Sequence, residues 1–251
     1  MNLNERFGLR LVLASLAVLL LAVPFAGLLA LVDTHWRPLE DLDTGTTKSL
    51  NHYVLEHRVL VHPLQATSYV FHAWVFRIII AGLVGWLLYR GARRLAAWAA
   101  TTIVLSGLVD VAAKVLIDRP RPQLESPIAH APGGSFPSGH ALTAAVGSAV
   151  IVLVLLPVLK GAWRAVAWAV AAFVTLASGI CRIALGVHYV SDVLAGWVLG
   201  IAMVAATAAA FEMWRRDAGR RPVQPATEGL EPEAAPRISA TGDVDAAPRE
   251  S

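Results

Sequence analysis

Long uncharged apolar runs separated by short polar stretches dominate the pattern of this chain. The first run, residues 11–32, holds 22 residues without a charge, and about 20 residues are enough to cross the hydrocarbon core of a bilayer. Further apolar runs, some of them containing a charge such as Arg77, Asp110 or Lys114, lie at about 69–89, 95–117, 141–159, 163–181 and 193–211. Each is predicted to be a helix, because backbone polar groups within lipid must be satisfied inside the segment. The pattern therefore predicts an all-α bundle of six transmembrane helices.

The first run has a competing interpretation, a cleaved signal peptide, because Arg6 and Arg10 precede it. Signal peptides have shorter apolar regions of about 7–15 residues, which favours a retained span. The composition agrees with a membrane protein: 16% of the residues are charged, against about 25% in soluble domains. The formal net charge of +3 is explained by bases at cytoplasmic helix ends, so no nucleic-acid partner is predicted.

Lys and Arg set the predicted orientation, because they collect in the cytoplasmic loops of membrane proteins. With six spans, one side of the membrane holds Arg6, Arg10, Arg90, Arg93, Arg94, Lys160, Arg164, Arg215, Arg216, Arg220 and Arg221. The other side holds Arg37, Lys48, Arg58, Lys114, Arg119, Arg121 and Arg182. The larger group predicts that both termini are cytoplasmic in a multi-pass protein of the cell membrane.

Two polar segments complete the predicted organisation. Residues 33–68 form an outer segment, partly helical and resting on the membrane face. Its histidines are predicted to be surface residues rather than metal ligands, since they lack a ligand spacing such as His-x3-His; they are His35, His52, His57 and His62. Residues 215–251 are rich in Pro, Ala, Glu and Arg and are predicted to be a disordered cytoplasmic tail. Residues 1–214 then form one transmembrane domain with a core at 69–211.

Polar residues at span ends are costly in a membrane and are therefore candidates for function. Lys114 and Arg121 close the third span, although a snorkelling lysine and a basic loop would also explain them. Pro-Ser-Gly-His at 137–140 directly precedes the fourth span. A Ser-Gly pair at a helix start presents free backbone N–H groups that suit an anion. A plain helix cap would explain Ser138 but not His140.

A third cluster, between the fifth and sixth spans, contains Arg182, His188 and Asp192. His188 and Asp192 are four residues apart and would share a helix face. The carboxylate can then accept from one imidazole nitrogen and leave the other as a nucleophile or base. The predicted topology puts all three clusters on the outer side. Their cations, histidines and helix N-terminus suit phosphoryl transfer.

The motifs Lys-x6-Arg-Pro, Pro-Ser-Gly-His and Arg-x5-His-x3-Asp, in this order, resemble those of the type-2 phosphatidic acid phosphatase superfamily, in its membrane-bound branch. The resemblance organises residues 69–211. It implies hydrolysis of a lipid phosphate or diphosphate at the extracytoplasmic face without metal or other cofactor. Undecaprenyl diphosphate is ranked first, before phosphatidylglycerophosphate and phosphatidic acid. A lipid phosphotransferase, or a non-catalytic lipid-binding or transport protein, remains an alternative, and the protein partners are unknown.

The resemblance also implies a role for each residue. His188 would attack phosphorus and form a phosphohistidine, with Asp192 orienting it. His140 would protonate the leaving oxygen and then activate water. The phosphate would be held by Lys114, Arg121, Ser138, Gly139 and Arg182. One departure is Cys181, which stands where the family usually has Ser, and a thiol is a poorer hydrogen-bond donor than a hydroxyl.

Arg77 lies within the second predicted span and outside every motif. An unpaired arginine in lipid is costly. Asp110 on the third span reaches a similar depth, so an ion pair between Arg77 and Asp110 is predicted. The alternative is that Arg77 faces the headgroup of the substrate.

Overall fold

The computed structural model describes residues 23–239. Within this range the regular secondary structure is entirely helical, and no residue lies in a β-strand. The α-helices are α1 (Val23–Asp33), α2 (Arg37–Glu56), α3 (Val61–Val70), α4 (Ala73–Tyr89), α5 (Arg93–Ile117), α6 (Gly139–Leu155), α7 (Ala162–Ala184), α8 (Val190–Asp217), α9 (Pro225–Glu228) and α10 (Ala235–Ser239). Short 3₁₀ turns lie at Arg58–Leu60 and Pro232–Ala234. The predicted all-α class is confirmed.

Four stretches among the described residues are long and apolar enough to cross a membrane. They are Arg58–Tyr89, Arg93–Ile117, Ala162–Ala184 and Val190–Asp217. Two shorter apolar helices are Val23–Asp33 and Gly139–Leu155. The first predicted span, at 11–32, lies largely outside the described residues. The number of six spans and the orientation of the termini therefore stay predictions.

Helix α6 is the centre of the bundle, packing against α4, α5, α7 and α8. Nearly all of its residues are buried, including Leu142, Val146 and Val150. Two glycines on α8 let the helices approach closely: a Cβ at Gly196 would lie 2.7 Å from the Ser138 carbonyl oxygen, and one at Gly200 would lie 3.0 Å from that of Leu142. Small residues serve this purpose in membrane helix pairs. The close packing fixes the first turn of α6 beside the first turn of α8.

The segment at 33–68 is mostly helical, which agrees with the predicted helical content. Helix α2 does not merely rest on a surface, because it packs against α7 and α8. Its buried face is polar: Asp43, Thr47 and Asn51 recur every four residues and are all nearly inaccessible. A buried polar stripe requires partners, and the partners of Asp43 lie in the site described below. The location of this segment outside the cell stays a prediction.

Residues 215–239 differ from the predicted disorder. Arg215 is 1% exposed and donates to the Leu230 carbonyl oxygen at 2.6 Å and to the Glu233 carboxylate at 2.8 and 2.9 Å. Leu230 and Ile238 join the main apolar core. A few apolar side chains and one buried arginine thus order a segment whose overall composition is polar. The rest of the predicted tail, 240–251, lies outside the described residues.

Candidate active site

A polar cavity of about 590 Å³ lies where the last turns of α5 and α7 meet the first turns of α4 and α6. Its walls carry residues from all three sequence clusters. The predicted site residues that line it are Lys114, Arg121, Gly139, His140, Arg182 and His188. The fold therefore brings these clusters to one place, as the motifs predicted, although they are spread over 75 positions of the chain.

His188 is 2% exposed and lies just before α8 begins at Val190. Its Nδ1 is 3.5 Å from Asp192 Oδ2, which is too long for a good hydrogen bond, and Nδ1 makes none among the described residues. Such contacts are often long without substrate and tighten when it binds. The His188 Nε2 lies 3.3 Å from Arg121 Nη1. Burial lowers the pKa of His188, while Asp192 opposes that effect.

Asp192 is fully buried and held by its own helix start. Its Oδ2 accepts the Tyr189 backbone N–H at 2.9 Å, so the carboxylate caps the first turn of α8. The Asp192 carbonyl oxygen accepts the Ser138 N–H at 2.9 Å. The four-residue spacing from His188 thus acts across a helix cap, not along a helix face as predicted. The hydrogen bond from the Ser138 N–H to the Asp192 carbonyl oxygen also ties α8 to the start of α6.

Arg119 was assigned no role from the sequence, yet it anchors the site. It donates to Asp192 Oδ1 at 2.6 Å and to Asp43 Oδ2 at 2.9 Å. Its guanidinium lies 4.4 Å from the centre of the Tyr189 ring. Burial opposes the charge of Arg119, but Asp192 and Asp43 outweigh it and raise the pKa. Asp43 of α2 also accepts the Ser191 N–H at 2.9 Å, so α2 is joined to the site through a buried ionic network.

Two signals pointed weakly to this network. Arg119 stands between Lys114 and Arg121 in the first cluster, and Asp43 belongs to the polar stripe of α2. Neither signal shows which carboxylate meets which guanidinium, because the pair is separated by 76 residues.

The other arginines of the site lack a carboxylate partner among the described residues. Arg121 donates to backbone carbonyls, including those of Val187 at 2.8 Å and Gly133 at 3.0 Å. Arg182 is 7% exposed, donates to Ser68 Oγ at 2.8 Å and has a buried Nε without a partner. Burial lowers the pKa of Arg121, against the pull of Asp192. The cavity therefore carries positive charge that the described carboxylates leave unbalanced.

The start of α6 comes very close to Lys114. A Cβ at Gly139 would lie 2.6 Å from Lys114 Nζ and 2.8 Å from Asp110 Oδ2, so a larger residue would collide with both. His140 lies edge-on against His72, with ring centres 4.5 Å apart. The His140 Nε2 has no partner among the described residues. An imidazole nitrogen and the free N–H groups of a helix start thus share one wall of the cavity.

Ser138 is less favourably placed than the sequence predicted. It is fully buried and is not part of the cavity wall. Its Oγ makes no hydrogen bond within residues 23–239 and does not cap α6. A phosphate contact through its side chain stays a prediction.

The predicted pair between Arg77 and Asp110 is wrong. Asp110 accepts from Lys114 Nζ at 2.6 and 2.7 Å, four residues along the same helix. Arg77 Nη2 instead faces Gly107, at 3.7 Å from the position of a Cβ there. The antiparallel packing of α4 and α5 puts Arg77 about one turn deeper than Asp110, and Lys114 satisfies the carboxylate locally.

Cys181 uses its thiol inside α7. Its Sγ donates to the Ser178 carbonyl oxygen at 3.2 Å. The residue is buried and does not line the cavity. The cysteine that stands where the family usually has serine therefore lies outside the cavity wall.

Comparison with known proteins agrees with this architecture. Residues 95–216 match the family model of the PAP2 superfamily. Over 97 residues the chain is 39% identical to phosphatidylglycerophosphatase B of Bacillus subtilis (strain 168), a stretch that covers 38% of this chain and 47% of the relative. The match thus spans about half the length of that curated relative.

The fold also resembles a crystal structure described as the first transmembrane PAP2 type phosphatidylglycerolphosphate phosphatase from Bacillus subtilis. The TM-score is 0.67 at 23% identity, covering 82% of this chain and 98% of the other. Lys114, Asp192 and every motif residue between them fall within the matched range 95–216. The resemblance read from the motifs is confirmed over residues 95–216, which match the PAP2 superfamily.

Proposed function

We propose that this protein hydrolyses the terminal phosphate of a membrane lipid through a phosphohistidine on His188, at the extracytoplasmic face. The observation that carries the proposal is the cavity itself. It combines the two predicted catalytic histidines, His140 and His188, with three cations. Two of those cations, Arg121 and Arg182, have no carboxylate partner among residues 23–239. A dianionic phosphate supplies the missing charge.

In the first step, His188 Nε2 attacks phosphorus, and the bond between phosphorus and the lipid oxygen breaks. The electron pair of that bond goes to the leaving oxygen, which takes a proton from His140. The Nδ1 side of His188 faces Asp192, which orients the ring and stabilises the positive charge that develops on it. Burial lowers the pKa of His188 and so favours the neutral ring, which can attack, because a protonated Nε2 has no lone pair to donate.

In the second step, His140 takes a proton from water, and the water oxygen attacks phosphorus. The phosphorus–nitrogen bond breaks, and inorganic phosphate leaves with His188 restored. The His140 Nε2 makes no hydrogen bond among the described residues, so it is available for both proton transfers. General acid–base catalysis of this kind contributes about 10²–10⁴-fold.

Charge on the transferring phosphoryl group is balanced by Lys114, Arg121 and Arg182 and by the Gly139 backbone N–H. Preorganised donors of this type stabilise a phosphoryl transition state without reorganising during the reaction. Arg119 and Asp43 do not reach the phosphate in this scheme. They hold Asp192, and through it His188, in position.

A lipid substrate is favoured because the cavity lies at the ends of helices that are apolar enough to cross a membrane. Tails can then remain in the bilayer while the headgroup enters the site. The names of the two relatives support phosphatidylglycerophosphate as a substrate. Undecaprenyl diphosphate and phosphatidic acid remain candidates from the sequence.

The test is phosphate release by the purified full-length protein from a panel of these three lipids, in EDTA. We expect release without added metal from at least one lipid, and none from the His188→Ala variant. Release of ¹⁸O-labelled phosphate in H₂¹⁸O identifies water as the acceptor. Transfer of phosphate to an added lipid alcohol, without label, would instead identify a phosphotransferase. No turnover of any kind would favour a lipid-binding or transport protein.

A further inference from the structure

A second cavity of about 600 Å³ lies between α4 and α5. Its lining is apolar apart from one residue, Arg77. The apolar walls are formed by Ile80, Ala81 and Val84 of α4 and by Ile103, Val104 and Val111 of α5, among others. Arg77 is exposed there and makes no hydrogen bond or ion pair within residues 23–239. A lone cation on the apolar part of a transmembrane helix is costly unless it meets an anion.

This groove lies next to the active-site cavity, along the same two helices. Ala73 of α4 and Asp110 of α5 line the active-site cavity. Arg77 and Gly107, which lie about one turn farther from the active site on the same helices, line the groove. At about 1.5 Å per residue, Gly107 lies about 4.5 Å deeper than Asp110. Helical side chains lean toward the N-terminus of their helix. Because α4 begins at the active site, this tendency favours a guanidinium of Arg77 directed toward that end of the helix.

We propose that Arg77 binds a second phosphate of the substrate, the one nearer the lipid tails. A lipid whose terminal phosphate is held by Lys114 and Arg121 would then place its inner phosphate at Arg77, with its tails against the groove. This inference rests on the proposed function and narrows it. The substrate is a lipid with two phosphates in series, either a phosphodiester followed by a phosphomonoester or a diphosphate. Phosphatidic acid, with one phosphate, cannot use Arg77 in this way.

The test compares kcat/KM for phosphatidylglycerophosphate, a polyprenyl diphosphate and phosphatidic acid in mixed micelles. For Arg77→Met, we expect a loss of about 10–100-fold on at least one two-phosphate lipid, as for a charge-assisted hydrogen bond. The change on phosphatidic acid should stay within about threefold. Arg77→Lys keeps the positive charge but lacks the planar set of N–H donors of a guanidinium, so its loss of kcat/KM should be intermediate. Arg37→Met, which removes an exposed cation of α2 far from the groove, should leave the ratio unchanged.

An equal loss on all three lipids would overturn the inference, because Arg77 would then act only as a membrane anchor. An unchanged preference in Arg77→Met would overturn it as well. Should Arg77→Met fail to fold in detergent, Arg77→Lys carries the same comparison. The proposed function fails separately, if the wild-type protein releases no phosphate from any lipid.

Discussion

Four arginines near the two ends of α8 have two kinds of electrostatic surroundings: two are paired with carboxylates and two are not. Arg215, near the end of α8, is enclosed by Glu212, Glu233 and the Leu230 carbonyl. Arg119, beside its start, is enclosed by Asp43 and Asp192. Arg121 and Arg182 instead contact backbone carbonyls, the His188 imidazole and one hydroxyl among the described residues.

The difference separates structural charge from functional charge. A buried ion is costly unless it is paired, so a paired arginine such as Arg215 is satisfied by the protein alone. Arg182 carries the same cost without that compensation, and Arg121, which is only partly buried, carries a smaller one. Such charge is retained where a ligand supplies the counter-ion. By this criterion we expect Arg121, Arg182 and Arg77 to face substrate, whereas Arg119 and Arg215 hold the fold.

The most severe break in this arrangement removes the predicted nucleophile. We expect His188→Ala to lower kcat by at least about 10³-fold and to abolish the acid-labile phosphoenzyme, as measured by rapid-quench ³²P labelling. His140→Ala should still form the phosphoenzyme but break it down slowly. His52→Ala, at an exposed position of α2, is the control and should behave as wild type. A phosphoadduct that persists in His188→Ala would show that another group attacks phosphorus.

The two kinds of arginine should respond in opposite ways to the same substitution. Arg182→Met removes a proposed donor to the transferring phosphate, and we expect kcat/KM to fall by about 10²–10³-fold. Thermal stability in detergent should be unchanged or higher, because an unbalanced buried charge is lost. Arg215→Met should instead destabilise the protein by about 3–5 kcal/mol, while the folded fraction keeps its kcat.

The distinction between paired, structural arginines and unpaired, functional ones fails if Arg182→Met loses stability and activity together. It is also broken if Arg215→Met lowers kcat of the folded protein, since Arg215 would then communicate with the site. Activity per folded molecule and the unfolding midpoint must therefore be measured on the same preparations.

A smaller effect concerns pH. Burial lowers the pKa of His188 from its usual 6.5, and Asp192 partly opposes this. In the proposed mechanism the neutral ring attacks, so kcat/KM should stay level as the pH falls past 6.5 and should drop about tenfold per pH unit only below the shifted pKa. Asp192→Asn removes the opposing carboxylate, so the acid limb should move to lower pH while kcat falls. If the acid limb of Asp192→Asn, measured on the same lipid, stayed at the wild-type pH, it would report the titration of a group other than His188.

The sequence predicted the helices and the cavity better than the supporting network. The third predicted span, 95–117, begins two residues after the observed start of α5 at Arg93, because charge marks where an apolar run ends. The Ser-Gly pair marked the start of α6 at Gly139 equally well. Local patterns of this kind also located the cavity residues.

Long-range pairing could not be predicted in the same way. Asp43 meets Arg119 only because α2 packs over α7 and α8, and no local pattern encodes that packing. The assignment of Asp110 to Arg77 failed for the same reason, since a shared depth does not establish helix register. The order at 215–239 was missed because average composition concealed the few residues that pack, Leu230 and Ile238 among them.

The smallest expected effect tests whether the family departure at Cys181 matters. The Cys181 thiol donates to the Ser178 carbonyl oxygen at 3.2 Å within α7 and does not reach the cavity. A serine hydroxyl can make the same bond to a carbonyl within its own helix. We therefore expect Cys181→Ser to keep kcat/KM within about threefold, since substitutions that preserve contacts change little. A thiol-specific reagent should react slowly with the native protein, because burial shields the sulfur. If Cys181→Ser instead removed most of the activity, the sulfur would have a role that its present contacts do not explain, and Arg182, its neighbour, would be the first residue to re-examine.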